Sequence, residues 1–132
     1  MLLVDTNVLV DVLQNDPQWA EWSISQMRAH SSLHALVINP IIYAEMSLSF
    51  STLEALDDVV VTLALELREI PRAALFLAAK AYAQYRRRGG SKLHVLPDFF
   101  IGAHAAVEGW QLLTRDANRF RTYFPTLDVL AP

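Results

Sequence analysis

Short apolar runs alternate with longer amphipathic segments along this chain. Four of the runs are typical of buried strands, at residues 2–4, 35–38, 112–114 and 127–130. The segments between them place apolar residues at helical spacing. Strands that alternate with helices in this way predict an α/β fold with a mostly parallel sheet.

Capping residues, prolines and glycines bound the amphipathic segments. Asn7 is predicted to cap the first helix, and Pro40 begins a later one, where its missing N–H costs no hydrogen bond. Segment 59–67 fits a helix or a strand, because β-branched residues give way there to Ala and Leu. The predicted helices cover about residues 8–15, 19–30, 40–50, 71–88 and 97–109, and one more begins at 51–54.

Composition narrows the class of protein. The 132 residues are 53% hydrophobic, which suits a single domain over 1–132 with a sizeable core. The absence of Cys excludes a disulfide scaffold, a Cys-based zinc site and thiol catalysis. No apolar run approaches the ~20 residues that span a bilayer, so we expect a soluble, cytoplasmic protein with no membrane partner. A net charge of -3 argues against whole-surface nucleic-acid binding but leaves a local site open.

Four acidic residues occupy positions where such a sheet builds its ligand site. Asp5 and Asp116 each follow a predicted strand, Glu45 lies about one turn into a helix, and Asp98 opens another helix. Ligands of open α/β sheets bind at the carboxyl ends of the strands. Each acid taken alone is more often a turn, cap or solvent-facing residue. The joint pattern favours a shared site.

Carboxylates that share a site need a cation. Two of them at about 4 Å repel by ~4 kcal/mol at an effective dielectric of about 20, so a larger group would protonate or separate. An all-carboxylate cluster suits Mg²⁺ or Mn²⁺, whereas zinc more often recruits His or Cys. Such ions activate water and stabilise the leaving oxygen of a phosphodiester. The residues therefore indicate a metal-dependent phosphodiesterase.

The segments around these acids resemble the PIN domain family, and within it the VapC-like ribonuclease toxins of type II toxin–antitoxin pairs. A lone Asp-Thr-Asn is a weak signal, but the segments together, in order and across residues 2–130, are a strong one. They are Val4-Asp5-Thr6-Asn7-Val8, Ile42-Tyr43-Ala44-Glu45, Pro97-Asp98-Phe99-Phe100-Ile101-Gly102-Ala103-His104-Ala105 and Leu113-Thr114-Arg115-Asp116.

The resemblance implies a three-layer α/β/α sandwich and a Mg²⁺- or Mn²⁺-dependent endoribonuclease that hydrolyses RNA with metal-activated water. It also implies a homodimer and a cognate antitoxin as partners. Asp5 and Asp98 are expected to be the most direct metal ligands. The implied catalytic metal cluster is Asp5, Glu45, Asp98 and Asp116, supported by Thr6, Asn7, Thr114 and Asn118.

Asn118 marks a departure from the family pattern. Many members carry another acid two residues after the last Asp, where this chain has Asn118. One metal contact of the family is therefore in doubt here, and Asn118 is left to accept a hydrogen bond from a coordinated water.

Basic residues lie in two clusters beside the acids. The first, Arg86, Arg87, Arg88 and Lys92, directly precedes the Asp98 helix. It fits RNA phosphate contacts and a solvated helix end equally well. The second cluster is Arg115, Arg119 and Arg121. Arg115 is predicted to touch RNA or to pair with the acids while no metal is bound, with a structural ion pair as the equal alternative.

Three residues have plainer interpretations. His104 lies off the Asp98 face of its helix and is expected to be packed or partner-facing rather than a ligand. Asp11 is interpreted as part of the polar face of the first helix. Gly102 shares the Asp98 face, where a small residue would let the helix approach the sheet.

Two other functions stay open on the sequence. The first is a PIN-type nuclease in RNA processing or repair, without an antitoxin. The second is a non-catalytic binding module that retains the fold.

Overall fold

A computed structural model describes residues 1–132 and shows a five-stranded parallel sheet. The strands are β1 (Leu2–Val4), β2 (Leu36–Ile38), β3 (Leu65–Leu67), β4 (Gln111–Leu113) and β5 (Val129–Leu130). Their order is β3-β2-β1-β4-β5, and all neighbours pair in parallel. The chain therefore adds β2 and β3 on one side of β1 and then crosses over to add β4 and β5 on the other side. This reversal between β1 and β4 is where a doubly wound sheet opens a crevice.

Helices cover the sheet in an α/β/α arrangement, as predicted, and all four strands inferred from apolar runs are confirmed. The helices are α1 (Thr6–Leu13), α2 (Ala20–Ser31), α3 (Pro40–Ser47), α4 (Leu53–Thr62), α5 (Arg72–Arg87), α6 (Leu96–Glu108) and α7 (Asn118–Tyr123), with a 3₁₀ turn at Leu93–Val95.

The ambiguous segment 59–67 contains both kinds of element. Helix α4 continues to Thr62, Ala64 turns the chain with φ 53°, and β3 follows at Leu65–Leu67. Only Leu65 of this edge strand is buried. A strand with one buried residue carries too short an apolar pattern to be separated from a helix by periodicity.

Helix caps fix where the elements begin and end. The Asn39 side chain accepts a hydrogen bond from the Ile42 N–H at 3.0 Å and starts α3 just before Pro40. Asp5, and not Asn7 as predicted, caps α1. The predicted cap lies two residues too late, because β1 ends just before Asp5 and α1 begins just after it.

The core consists of apolar side chains from the sheet and from the helix faces that pack against it. The three residues of β1 are fully buried, and Phe99 and Phe120 are the largest buried side chains. Gly102 serves the packing of α6 differently from our expectation. A Cβ there would lie 2.5 Å from the Phe124 ring, so the missing side chain makes room for the aromatic residues of the α7 region. No helix has the length and apolar character needed to cross a membrane.

Candidate active site

The four predicted acids line one cleft of about 300 Å³. Asp5 lies directly beyond β1, and Asp116 lies in the loop that follows β4. Glu45 projects from α3, and Asp98 lies in the first turn of α6. Because β1 and β4 are parallel neighbours, their carboxyl ends open on the same edge of the sheet. The structure thus brings together acids from four separate segments at the strand-order reversal.

Asp5 is the most buried of the four, with 4% of its surface exposed. Its carboxylate accepts hydrogen bonds from the Thr114 hydroxyl at 2.8 Å and from the Thr6 backbone N–H at 2.7 Å. Burial, together with repulsion from Asp98 and Glu45, raises the pKa of Asp5 to about 7, against the lowering effect of these two hydrogen bonds. The site therefore holds a carboxylate whose negative charge is poorly compensated.

Glu45 is held by a threonine rather than by a cation. The Thr6 hydroxyl donates to Glu45 Oε1 at 2.6 Å. Burial raises the pKa of Glu45, the Thr6 hydrogen bond lowers it, and the charge on Asp98 raises it again. Thr6 thus bonds two of the acids, Asp5 through its N–H and Glu45 through its hydroxyl.

Asp98 is the one cleft acid with an ion-pair partner. Arg119 Nη1 donates to Asp98 Oδ2 at 2.7 Å. Burial raises the pKa of Asp98, although the Arg119 guanidinium opposes that shift. Asp116 is exposed, and its backbone N–H donates to the Thr114 hydroxyl oxygen at 3.1 Å. Thr114 therefore links Asp5 with the loop that carries Asp116.

This donor set fits a hard divalent cation. All four side chains offer carboxylate oxygens, and three of them have raised pKa values, chiefly because burial disfavours the charged form and secondly because other cleft acids lie nearby. As the side chains stand, no three His, Asp or Glu residues are grouped closely enough to hold a metal ion. An open carboxylate set of this kind leaves coordination positions to water, which is the usual manner of Mg²⁺.

Comparison with protein families agrees with this geometry. The family model of the PIN domain matches residues 2–124. The chain belongs to the PIN domain family. A comparison with curated protein sequences gave no significant match.

Solved structures share the fold of this PIN domain over almost its whole length. VapBC2 from Rickettsia felis, bound to a promoter DNA fragment, is similar at TM-score 0.75 and 18% identity, covering 99% of this chain and 98% of its own. DNA-bound VapBC from Salmonella typhimurium gives TM-score 0.72 and 20% identity, with 98% and 96% covered. A toxin–antitoxin complex from Klebsiella pneumoniae gives TM-score 0.68 and 20% identity, with 98% and 96% covered.

A second polar network supports the cleft of the PIN domain from behind. Arg115 donates from Nε and Nη2 to the two oxygens of Asp11, at 2.8 and 3.0 Å, and its guanidinium lies 5.5 Å from the centre of the Trp19 ring. Ser23 donates a further, longer bond to Asp11 at 3.3 Å. Asn7 accepts from the Arg115 N–H at 3.2 Å. Together these contacts hold the loop between β4 and α7 against α1 and α2.

Asp11 corrects our sequence interpretation. It is 2% exposed and forms an ion pair with the partly exposed Arg115, whereas we placed it on the polar face of the first helix. The useful signal was its spacing from Asn7, because residues four apart share a helix face. That face turns toward the loop after β4 and not toward solvent.

Most of the remaining predicted residues lie outside the cleft lining. Asn118 starts α7 with an exposed side chain that makes no hydrogen bond to the protein, so its contact with a coordinated water stays a prediction. Arg86, Arg87, Arg88 and Lys92 are exposed near the end of α5. Arg115 does line the cleft, although its charge is paired with Asp11.

His104 is packed in the core, as expected. It is fully buried on α6, with Nδ1 at 3.2 Å from the Asn39 amide nitrogen and its ring 5.0 Å from that of Trp110. Burial lowers its pKa, so the neutral form is favoured. Because the Asn39 amide oxygen already caps α3, the amide nitrogen donates and His104 Nδ1 accepts.

Proposed function

We propose that this PIN domain is a Mg²⁺- or Mn²⁺-dependent endoribonuclease that acts as the toxin of a type II toxin–antitoxin pair. The observation that carries the proposal is the convergence of Asp5, Glu45, Asp98 and Asp116 on one cleft at the carboxyl ends of β1 and β4. Membership of the PIN domain family supports nuclease activity. We propose that residues 1–132 form a single domain that carries this activity.

Two threonines orient the acids in this proposal. Thr114 donates to one oxygen of Asp5 and the Thr6 N–H donates to the other, so this carboxylate has a fixed direction before any ligand arrives. The Thr6 hydroxyl does the same for Glu45. A divalent cation held by these carboxylates would supply an activated water and offset charge on the scissile phosphate. Preorganised ligands avoid reorganisation during the reaction.

The charge distribution is compatible with an RNA substrate despite the net charge of -3. Four of the 14 acids line the cleft, and the other ten stand against the chain's 11 Lys and Arg. Divalent cations in the cleft would offset much of the negative charge of its four acids. We propose that RNA phosphates are contacted by Arg86, Arg87, Arg88, Lys92 and Arg115.

Toxin–antitoxin complexes among the structures that share this fold support the toxin role. One similar structure is a toxin–antitoxin complex from Klebsiella pneumoniae, and two others are VapBC assemblies bound to DNA. We propose that this chain likewise forms a homodimer and is inhibited by a cognate antitoxin.

Carboxylate-to-amide variants test the nuclease proposal. Asp5→Asn and Asp98→Asn preserve side-chain size and remove a ligand charge, so we expect at least a 100-fold loss of Mn²⁺-dependent RNA cleavage. Asp58→Asn, an exposed acid on α4, is the matched control and should keep full activity. Full activity in either cleft variant would overturn the assignment. A folded wild type that cleaves no RNA and shows no Mn²⁺-induced rise in Tm would indicate a binding module instead.

Purification from the native cell tests the toxin role separately. We expect a small DNA-binding protein to copurify, and RNA cleavage to appear once that protein is removed. Cleavage by a chain that purifies alone, with no short neighbouring reading frame, would contradict the toxin role. That result would favour a nuclease of RNA processing.

A further inference from the structure

Two arginines from the same stretch of chain bind carboxylates in very different ways. Arg115 is clamped, because two hydrogen bonds join it to Asp11 and its guanidinium also lies over the Trp19 ring. The Asp11 side chain is only 3% exposed. Releasing Arg115 would leave the buried Asp11 carboxylate with no cation and only the long hydrogen bond from Ser23, so this contact is a fixed part of the fold.

Arg119 is held by fewer contacts. One hydrogen bond, from Nη1 to Asp98 Oδ2 at 2.7 Å, joins it to the cleft. The two arginine side chains are similarly exposed, but Asp98 is 31% exposed against 3% for Asp11, so water can solvate Asp98 when Arg119 leaves. Arg119 is nevertheless the one Lys or Arg that forms an ion pair with any of the four cleft acids.

We propose that Arg119 is an exchangeable counter-ion. It neutralises Asp98 while the cleft holds no metal, leaves that carboxylate when a divalent cation binds, and then pairs with an RNA phosphate at the edge of the cleft. The proposal rests on the metal-dependent ribonuclease function proposed above, and it assigns to Arg119 a role distinct from that of Arg115.

Two properties favour the exchange: the higher charge of the divalent cation and the length of the Arg119 side chain. A divalent cation on Asp98 brings twice the charge of a guanidinium to the same oxygens, and the two cations repel at contact distance. Arg119 lies on α7, and its long side chain can withdraw from Asp98 without movement of the helix backbone. Asp98 lines the cleft whereas Arg119 does not, so the released guanidinium remains beside the cleft and leaves its interior clear.

A phosphate is the expected new partner of the released group. The planar guanidinium fork matches the oxygen spacing of phosphate and stays charged at all relevant pH values. The metal-binding step would therefore also create the phosphate-binding group. RNA that arrives before the cation finds Arg119 already paired.

Titration with Mn²⁺ by calorimetry tests the first half of the proposal. Arg119→Gln removes the competing charge and should bind Mn²⁺ about three- to tenfold more tightly than wild type. Arg119→Lys keeps a positive charge and should stay near wild type. Arg121→Gln removes the same charge from an exposed position on α7 and should change the affinity less than twofold.

The outcomes separate this inference from the proposed function. Equal or weaker Mn²⁺ binding by Arg119→Gln would overturn the exchange and make Arg119 a fixed support of Asp98. Absence of Mn²⁺ binding in wild type and all variants would overturn the metal dependence itself, and the exchange with it.

RNA binding tests the second half. The probe is a fluorescent 2′-O-methyl RNA oligonucleotide, which resists cleavage, measured by anisotropy across a salt series with Mn²⁺ and with EDTA. With Mn²⁺, Arg119→Gln should reduce the slope of log affinity against log salt by about 0.7, the value of one phosphate contact with a single strand. With EDTA its slope should equal that of wild type, and Arg121→Gln should change neither. An Arg119→Gln slope that is unchanged with Mn²⁺, or reduced equally with EDTA, would overturn the transfer to phosphate.

Discussion

The hydroxyl of Thr6 donates a 2.6 Å hydrogen bond to Glu45, a residue 39 positions further along the chain. The bond joins the first turn of α1 to α3 across the mouth of the cleft. The same residue donates its backbone N–H to Asp5. One threonine therefore sets the direction of two carboxylates that belong to different elements.

Thr6→Val should uncouple these carboxylates while it keeps a β-branched shape. Without the hydroxyl, the pKa of Glu45 rises further and its side chain is free to rotate. We expect RNA cleavage to fall about 10- to 100-fold, in line with the loss of a residue that orients a metal ligand. Cleavage rates at saturating Mn²⁺ would measure this.

Two controls make the Thr6 test specific. Thr6→Ser retains the hydroxyl and should restore most of the activity, whereas Thr62→Val, on an exposed position of α4, should have no effect. Equal cleavage by wild type and Thr6→Val would contradict an orienting role.

Asp5 should make the protein without bound metal less stable as pH rises. Its pKa is about 7 in the folded state and 3.8 as a free group, so between these values the folded state binds more protons than the unfolded state. Stability from this group is therefore fully present below about pH 4 and is lost progressively as pH rises through 7. The whole shift corresponds to about 4 kcal/mol.

Urea unfolding in EDTA at pH 5 and pH 8 measures this effect. Wild type should lose more stability between the two pH values than Asp5→Asn, because Asn cannot ionise. Identical losses in the two proteins would show that Asp5 does not titrate in this interval. Mn²⁺ should reduce the loss in wild type, since a cation compensates the ionised carboxylate.

The ion pair of Arg115 with Asp11 should be a strong determinant of stability. Arg115→Met leaves an almost fully buried carboxylate without its partner, so we expect a loss of about 3–5 kcal/mol in the free energy of unfolding. Arg68→Met breaks a pair with Glu66 in which both side chains are nearly half exposed, and should cost less than about 1 kcal/mol. Chemical denaturation of both variants makes the comparison. Equal costs would mean that Asp11 gains water in the folded protein.

The sequence was sufficient to predict four of the five strands, and the convergence of the two acids that follow β1 and β4, for a single physical reason. Strands buried on both faces must be apolar throughout, and the carboxyl ends of parallel neighbours meet at one edge, so acids that follow β1 and β4 converge. Segment 59–67 stayed open between helix and strand because only Leu65 of β3 is buried. Because β3 lies at the edge of the sheet, most of its side chains are exposed and need not be apolar.

Contacts between distant segments were beyond the reach of local patterns. The partner of Asp11 lies 104 positions away and that of Asp98 lies 21 positions away. Periodicity assigns a residue to a face of its own helix, but tertiary packing decides what covers that face. The basic cluster around Asp116 is evident in the sequence. That Arg115 pairs with Asp11 whereas Arg119 pairs with Asp98 follows only from the tertiary structure.

Gly102 provides a last test, because it joins packing to the cleft. A Cβ at this position would lie 2.5 Å from the Phe124 ring and 3.0 Å from that of Phe120, and both rings are buried and cannot easily yield. Phe120 also lines the cleft. We expect Gly102→Ala to lower the free energy of unfolding by about 1–2 kcal/mol, since overpacking outweighs the better helix propensity of Ala.

A second substitution identifies the mechanism of that loss. Phe124→Leu vacates part of the space that the new methyl group needs, so the double variant should recover stability relative to the sum of the single changes. Gly109→Ala is the contrasting case, because Gly109 has φ 70° with open space around it, and its strain should not respond to Phe124→Leu. Urea unfolding of the three single and two double variants gives both coupling energies. A coupling near zero for Gly102 and Phe124 would show that α6 shifts to accommodate the methyl group, and cleavage by Gly102→Ala should then fall because Asp98 moves with the helix.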